Sequence, residues 1–155
     1  MNAPVRLASG EQTLKAWFDG RPTVLVLWAS WCGPCLADKP GQARMVERLA
    51  AAGSRTRVVT VRAFDDASDR IADWRLKRLG VGHIENARAT EAFEAAMLKW
   101  FGRSEIEPDR TPMPSLALIS GRGRTIGWNL GRLFTDDDED WWELPRAFDF
   151  LNSLT

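Results

Sequence analysis

The chain has 155 residues, 45% hydrophobic and 27% charged, which reads as an ordinary soluble globular protein with one substantial core. Lys plus Arg is 21 and Asp plus Glu is 21, so no charge excess points to nucleic acid or to an anionic membrane as a partner. The longest apolar run, Val24–Ala29, is far short of a bilayer span, and MNAPVRLASGEQ lacks the basic-then-apolar pattern of a secretory leader.

In chain order, VRLASGEQ reads as a short strand and turn, and Thr13–Pro22 as a helical turn closing at Gly20 and Pro22. Val24–Trp28 is a continuous apolar, β-branched run, the pattern of a strand buried on both faces of a parallel sheet. Leu36, Ala43, Val46 and Ala50 then recur at helical spacing up to a stop at Gly53. Arg57–Arg62 is a second strand, which gives a β-α-β unit with a right-handed crossover. Ala72, Leu76 and Leu79 mark one amphipathic helix; Ala89, Phe93, Ala96, Met97 and Trp100 mark a stronger one that ends near Gly102. Phe93, Met97 and Trp100 are read as packing residues. Ser115–Ile119 and Thr125–Leu130 form a hairpin around SGRGR. Acidic residues 136–140, Pro145, Phe148 and Leu151 give one or two closing helices, the acids serving a solvated helix start.

The two cysteines, Cys32 and Cys35, fall between the buried strand and the long helix. A structural zinc site needs about four ligands, and His83 is the single histidine beside them. That histidine sits in LGVGHIEN and reads as a surface residue. A static disulfide over so short a loop removes little chain entropy and adds little stability. Reversible redox exchange fits the position better. The helix N-terminus carries unpaired N–H groups and a positive dipole end, which favour a thiolate at Cys32. Pro34 is tolerated in the first turn, where its missing N–H has no helical partner. Cys35 lies inside the helix and is expected to be more covered than Cys32. An exposed attacking sulfur and a shielded resolving sulfur is the arrangement this predicts.

At LWASWCGPC the chain resembles the thioredoxin superfamily, in particular its TlpA-like, ResA-like branch of thiol–disulfide oxidoreductases. CLADKP is similar to the C-x-x-acid-x-P that often follows, with Asp38 as the carboxylate and Pro40 as the helix proline. TPMPSLALIS resembles the segment carrying the family's cis-proline, which would be Pro114 preceded by Met113, with Pro112 a plain turn residue. GRGRTIGWNLGRL resembles the final hairpin and its glycine, here Gly131. The resemblance implies an α/β thioredoxin fold: a central mixed β-sheet flanked by helices, as one domain over 1–155. A helical insertion at about 66–110 would precede the cis-proline strand. It implies no cofactor beyond the redox-active disulfide Cys32–Cys35.

The implied activity is reduction of disulfides in a client protein, with electrons from an upstream thiol donor, by a monomer in the bacterial periplasm or cell envelope, or alternatively the cytoplasm. Cys32 would attack and Cys35 would resolve. Trp31, Gly33, Pro34, Met113 and Pro114 would form the docking lip, an extended client strand pairing with the Met113 backbone. Relatives with Gly-Pro between the cysteines lie near thioredoxin's potential, about −270 mV against about −120 mV for a strong oxidant, hence a reductase. The chain departs from thioredoxins proper at Val26, where they have a buried acid. Asp38, one turn beyond Cys35, is the candidate substitute, and a solvated surface carboxylate is the competing reading. The rival from another class is a thioredoxin-fold adaptor that binds a partner without using its thiols. A thiol peroxidase would need a peroxide-activating Thr/Arg setting, and none is evident.

Overall fold

In the computed structural model, which describes residues 3–105, 113–133 and 139–154, the elements run β1 (Pro4–Leu7), β2 (Gly10–Thr13), α1 (Leu14–Phe18), β3 (Thr23–Trp28) and α2 (Gly33–Ala51). They continue with β4 (Arg57–Arg62), α3 (Asp69–Arg78), β5 (Glu85–Ala89) and α4 (Glu91–Phe101). β6 (Ser115–Ile119), β7 (Thr125–Leu130), a 3-10 turn at Trp141–Glu143 and α5 (Pro145–Asn152) complete the order. Pro112, the 106–110 end of the insertion and Asp136–Asp138 lie outside the described residues.

The strands make one mixed sheet in the order β2-β1-β5-β4-β3-β6-β7. β3 runs parallel to β4, and β4 to β5, while β6 joins β3 antiparallel and carries the β7 hairpin. All six residues of β3 and all six of β4 are buried, as expected for strands covered on both faces. Their side chains alternate between two cores. Leu25, Leu27, Val59 and Val61 pack in a cluster with α1, α3 and α4 residues, including Trp17, Leu76 and Phe93. Val24, Val26, Val58 and Leu116 pack with α2 and α5 through Met45, Leu49 and Leu151. The expected central mixed sheet flanked by helices is therefore present, and β3 and α2 sit at its middle.

Three elements differ from the sequence reading. VRLASGEQ forms two paired strands, with Leu7 opposite Gly10. Residues 85–89 form a strand inside the helix-bearing insertion, parallel to β4 and antiparallel to β1. Ala89 consequently ends β5 rather than starting a helix. α4 begins after Thr90, whose hydroxyl accepts the Phe93 N–H at 3.2 Å and donates to the Pro4 carbonyl at 2.7 Å. Phe93 and Met97 are buried, but Trp100 is 38% exposed, its ring edge-on to Trp128.

The third difference lies in α2. Its buried residues are Cys35, Asp38, Lys39, Gly41, Gln42, Ala43, Met45 and Leu49. Leu36 and Val46 are only half-buried and Ala50 is exposed. Gly41 lets the helix approach the chain before α5: a Cβ there would stand 2.7 Å from Asp140 Oδ2 and 2.9 Å from Trp142 Cβ. Any side chain at this position forces that contact apart.

Candidate functional site

β3 delivers the chain to the two cysteines, and α2 begins between them. Cys32 is the N-cap: its Sγ accepts the Cys35 N–H at 3.2 Å, and its carbonyl accepts the Leu36 N–H at 3.1 Å. Pro34 falls in the first turn, where no donor is needed. Cys32 and Cys35 are joined as a disulfide with Cα atoms 5.2 Å apart. Gly33 and Pro34 are exposed at the helix tip. Cys32 is only 4% exposed and Cys35 1%, which corrects the expectation of an open sulfur at Cys32. In the closed disulfide both sulfurs join the buried cluster that also holds Trp28 and Met113.

The Met113–Pro114 peptide bond is cis and leads directly into β6. Met113 shares the buried cluster of the two cysteines. Pro114 lines a small cavity of about 10 Å³ together with Val26, Asp38, Gln42, Gly131 and Trp142. Asp38 and Pro114 thus face the same small cavity. Asp38 is a buried residue rather than a solvated one, and the Arg132 Nε donates to its Oδ1. Burial pushes its carboxyl pKa upward; the Arg132 contact opposes that shift, and nearby Asp140 adds to it.

Trp28 is fully buried, its indole N–H donating to Asn86 Oδ1 at 2.9 Å. Trp31 is 38% exposed beside the disulfide. Its indole N–H donates to the Phe64 carbonyl at 2.7 Å. Phe64 has φ +55°, a left-handed backbone that a bulky residue rarely takes, and its own N–H donates to Glu94 Oε1 at 2.6 Å. His83 is exposed and faces Glu47 at 3.4 Å.

The residues that hold this loop escaped the sequence reading. Asp65 accepts the Ser30 N–H at 2.6 Å and the Ser30 hydroxyl at 2.8 Å. Arg75 donates to the Ser30 carbonyl. Arg62 stands 3.7 Å from Asp65, both side chains almost wholly buried, and reaches Asp69 as well. One signal was available: parallel pairing sets Trp28 opposite Arg62, so the loops after β3 and β4 lie side by side. An acid three residues past β4 then meets a residue two past β3. An apolar groove of about 360 Å³ between α4 and β7 is lined by Leu25, Leu27, Met97, Trp100 and Trp128 among others, with no ionisable side chain among the described residues that line it.

No protein-family model matches the chain, and no curated protein matches it in sequence. Solved structures do match. A thiol:disulfide interchange protein of the thioredoxin family from Chlorobium tepidum is 18% identical, with 99% of this chain and 97% of that one covered and a TM-score of 0.65. A thiol:disulfide interchange protein from Bacteroides sp. is 12% identical over 97% and 86%, with a TM-score of 0.68. A secreted disulfide oxidoreductase from Mycobacterium tuberculosis is 16% identical over 97% and 96%, with a TM-score of 0.64. At these identities the likeness is one of fold, and the chain has the thioredoxin fold.

Proposed function

We propose that the chain is a thiol–disulfide oxidoreductase that reduces disulfides in client proteins through Cys32 and Cys35. The observation that carries this reading is the disulfide itself, closed across the first turn of α2 and sharing a buried cluster with Met113 of the cis peptide before β6. The thiol:disulfide interchange proteins that share the fold support it. So does CGPC, through its resemblance to reductases of low potential.

In the dithiol form, Cys32 is the nucleophile, because the N-terminal N–H groups of α2 and the positive dipole end favour its thiolate. Its sulfur attacks a client disulfide; a mixed disulfide forms and one client thiolate leaves. The Cys35 thiol then gives up its proton and attacks Cys32 Sγ, which re-forms the intramolecular disulfide and releases the second client sulfur. Asp38, one turn below Cys35 and with its pKa raised by burial, serves proton transfer at this step. Trp31, Gly33 and Pro34, with the Met113–Pro114 backbone, form the client lip. An upstream dithiol donor restores the reduced form, and no cofactor other than the disulfide takes part. The chain acts as a single thioredoxin-like domain and a monomer. No helix among the described residues is long and apolar enough to cross a membrane. The secreted M. tuberculosis neighbour supports work outside the cytoplasm, in a cell envelope.

Insulin reduction with dithiothreitol as the donor tests the reading. The protein is expected to accelerate insulin precipitation, and Cys32→Ser to return it to the rate of dithiothreitol alone. Equal acceleration by Cys32→Ser would exclude the dithiol mechanism; no acceleration by either protein would favour the adaptor.

A further inference from the structure

Two buried polar atoms in α2, Lys39 Nζ and Gln42 Oε1, have no hydrogen-bond partner among the described residues, and Lys39 is the ionisable one. Lys39 is 1% exposed and its Nζ makes no hydrogen bond. It stands instead 4.5 Å from the centroid of the Trp28 ring, the indole that shares the buried cluster of Cys32 and Cys35. Cys35, Asp38 and Lys39 fall at i, i+3 and i+4 of one helix, so the acid and the amine flank the line beneath the resolving sulfur. The two flanks are treated differently: Asp38 accepts from Arg132, whereas the Lys39 amine has no hydrogen bond and stands over an aromatic face, with Asp38 the acid that acts on it through space. An aromatic face attracts a cation but accepts no ordinary hydrogen bond, so it offers partial compensation for lost water.

Among the described residues, Asp38 adjoins Lys39 on α2, Arg132 after β7 faces Asp38, and Asp140 before the 3-10 turn acts on Asp38. β3 contributes Trp28, and Arg62 at the end of β4 is engaged with Asp65 and Asp69. Burial lowers the Lys39 pKa from 10.5 to about 7, with the attraction of Asp38 opposing the shift. The amine therefore changes charge in the pH range where thiols react.

We propose that Lys39 is a redox-linked positioning residue: it binds a proton when the Cys32–Cys35 disulfide is reduced, and its ammonium then stabilises the thiolate of the dithiol form. This deepens the oxidoreductase reading above and rests on it. A donor dithiol passes two electrons to the Cys32–Cys35 bond and becomes a disulfide, and its two protons go to Cys35 and Lys39, leaving Cys32 as thiolate. Client reduction runs the reverse: the electron pair goes to the client disulfide, and the protons of Cys35 and Lys39 end on its two thiols. Coupling between two such sites is reciprocal, so a thiolate that raises the amine's proton affinity is itself favoured by the ammonium.

The test uses the whole protein with 13C-labelled lysine, followed by NMR across pH in the disulfide form and after reduction with dithiothreitol. The chain has four lysines, and Lys15, Lys77 and Lys99 are exposed, so the buried one is identified by its midpoint. The expected result is a midpoint far below the other three in the disulfide form that rises by about one pH unit on reduction. An unchanged midpoint overturns the proposal. In a second arm, Lys39→Met keeps the side chain's bulk and removes the charge; Cys32 alkylation at pH 7 should slow about tenfold, one pH unit of thiol titration. A pH profile of alkylation identical to the parent's also overturns it. Should Lys39→Met not fold, the NMR titration decides alone. Insulin reduction separates the two readings: an active parent with an unmoved Lys39 midpoint loses this role and keeps the enzyme.

Discussion

The Cys35→Ser protein should stop after one half-reaction, accumulating as a mixed disulfide between Cys32 and its client. The Cys35 and Cys32 sulfurs are already bonded across one helical turn, so resolution is intramolecular and needs no diffusion. Effective concentrations for well-placed intramolecular partners reach about 10⁵ M and above, against about 1 mM for an external thiol. Losing the neighbour therefore costs many orders of magnitude in the release step while leaving the first attack intact. Non-reducing electrophoresis of Cys35→Ser incubated with an oxidised client should show a single covalent adduct, dispersed by dithiothreitol, with mass spectrometry placing the bond on Cys32. Rapid release of the client from Cys35→Ser would assign the resolving role to another group.

The largest expected loss of stability comes from Asp65→Ala. Asp65 accepts both donors of Ser30 and stands against Arg62, whose side chain is equally buried. Removing one member of a buried ion pair leaves the other charge uncompensated, at a cost of about 3–5 kcal/mol. Exposed Asp69 still reaches Arg62, which places the expected loss near the lower end. A domain of this kind has about 5–15 kcal/mol in all, so urea unfolding should show an unmistakably earlier midpoint. Asp65→Asn keeps acceptor capacity for Ser30 and should lose less. A midpoint for Asp65→Ala equal to the parent's would mean that Asp65 does not anchor the loop before the disulfide.

What the sequence made legible follows from where apolar patterning and local chemistry agree. Val24–Trp28 is buried on both faces, and nothing but a central strand suits it. Cys32 and Pro34 sit where a helix start tolerates or favours them. The bond before Pro114 is cis, a property that only the resemblance to a known family suggested. The face of α2 was misplaced because hydrophobic periodicity counts apolar residues, whereas the buried stripe includes Asp38, Lys39 and Gln42. Asp38 and Lys39 are compensated in three dimensions, by Arg132 and by the Trp28 ring, neither adjacent in sequence. Strand β5 was missed for a related reason. ENARA buries only Ala87 fully and draws its support from pairing with β4 and β1, with Glu85 held by Arg57. Tertiary pairing decides such a segment where local propensity is weak. Asp65 was invisible because its partner Ser30 is 35 residues away and becomes a neighbour only through parallel pairing.

Dithiol exchange at this site requires unequal thiols in the reduced protein, and alkylation kinetics measure that inequality directly. Reduced protein is treated with iodoacetamide across pH 5–10, and the labelled peptides of Cys32 and Cys35 are quantified separately. Cys32 should react first, with a midpoint below the value of about 8.5 for an unperturbed cysteine, while Cys35 lags at every pH. Two thiols that titrate together near that reference value, at equal rates, would contradict it.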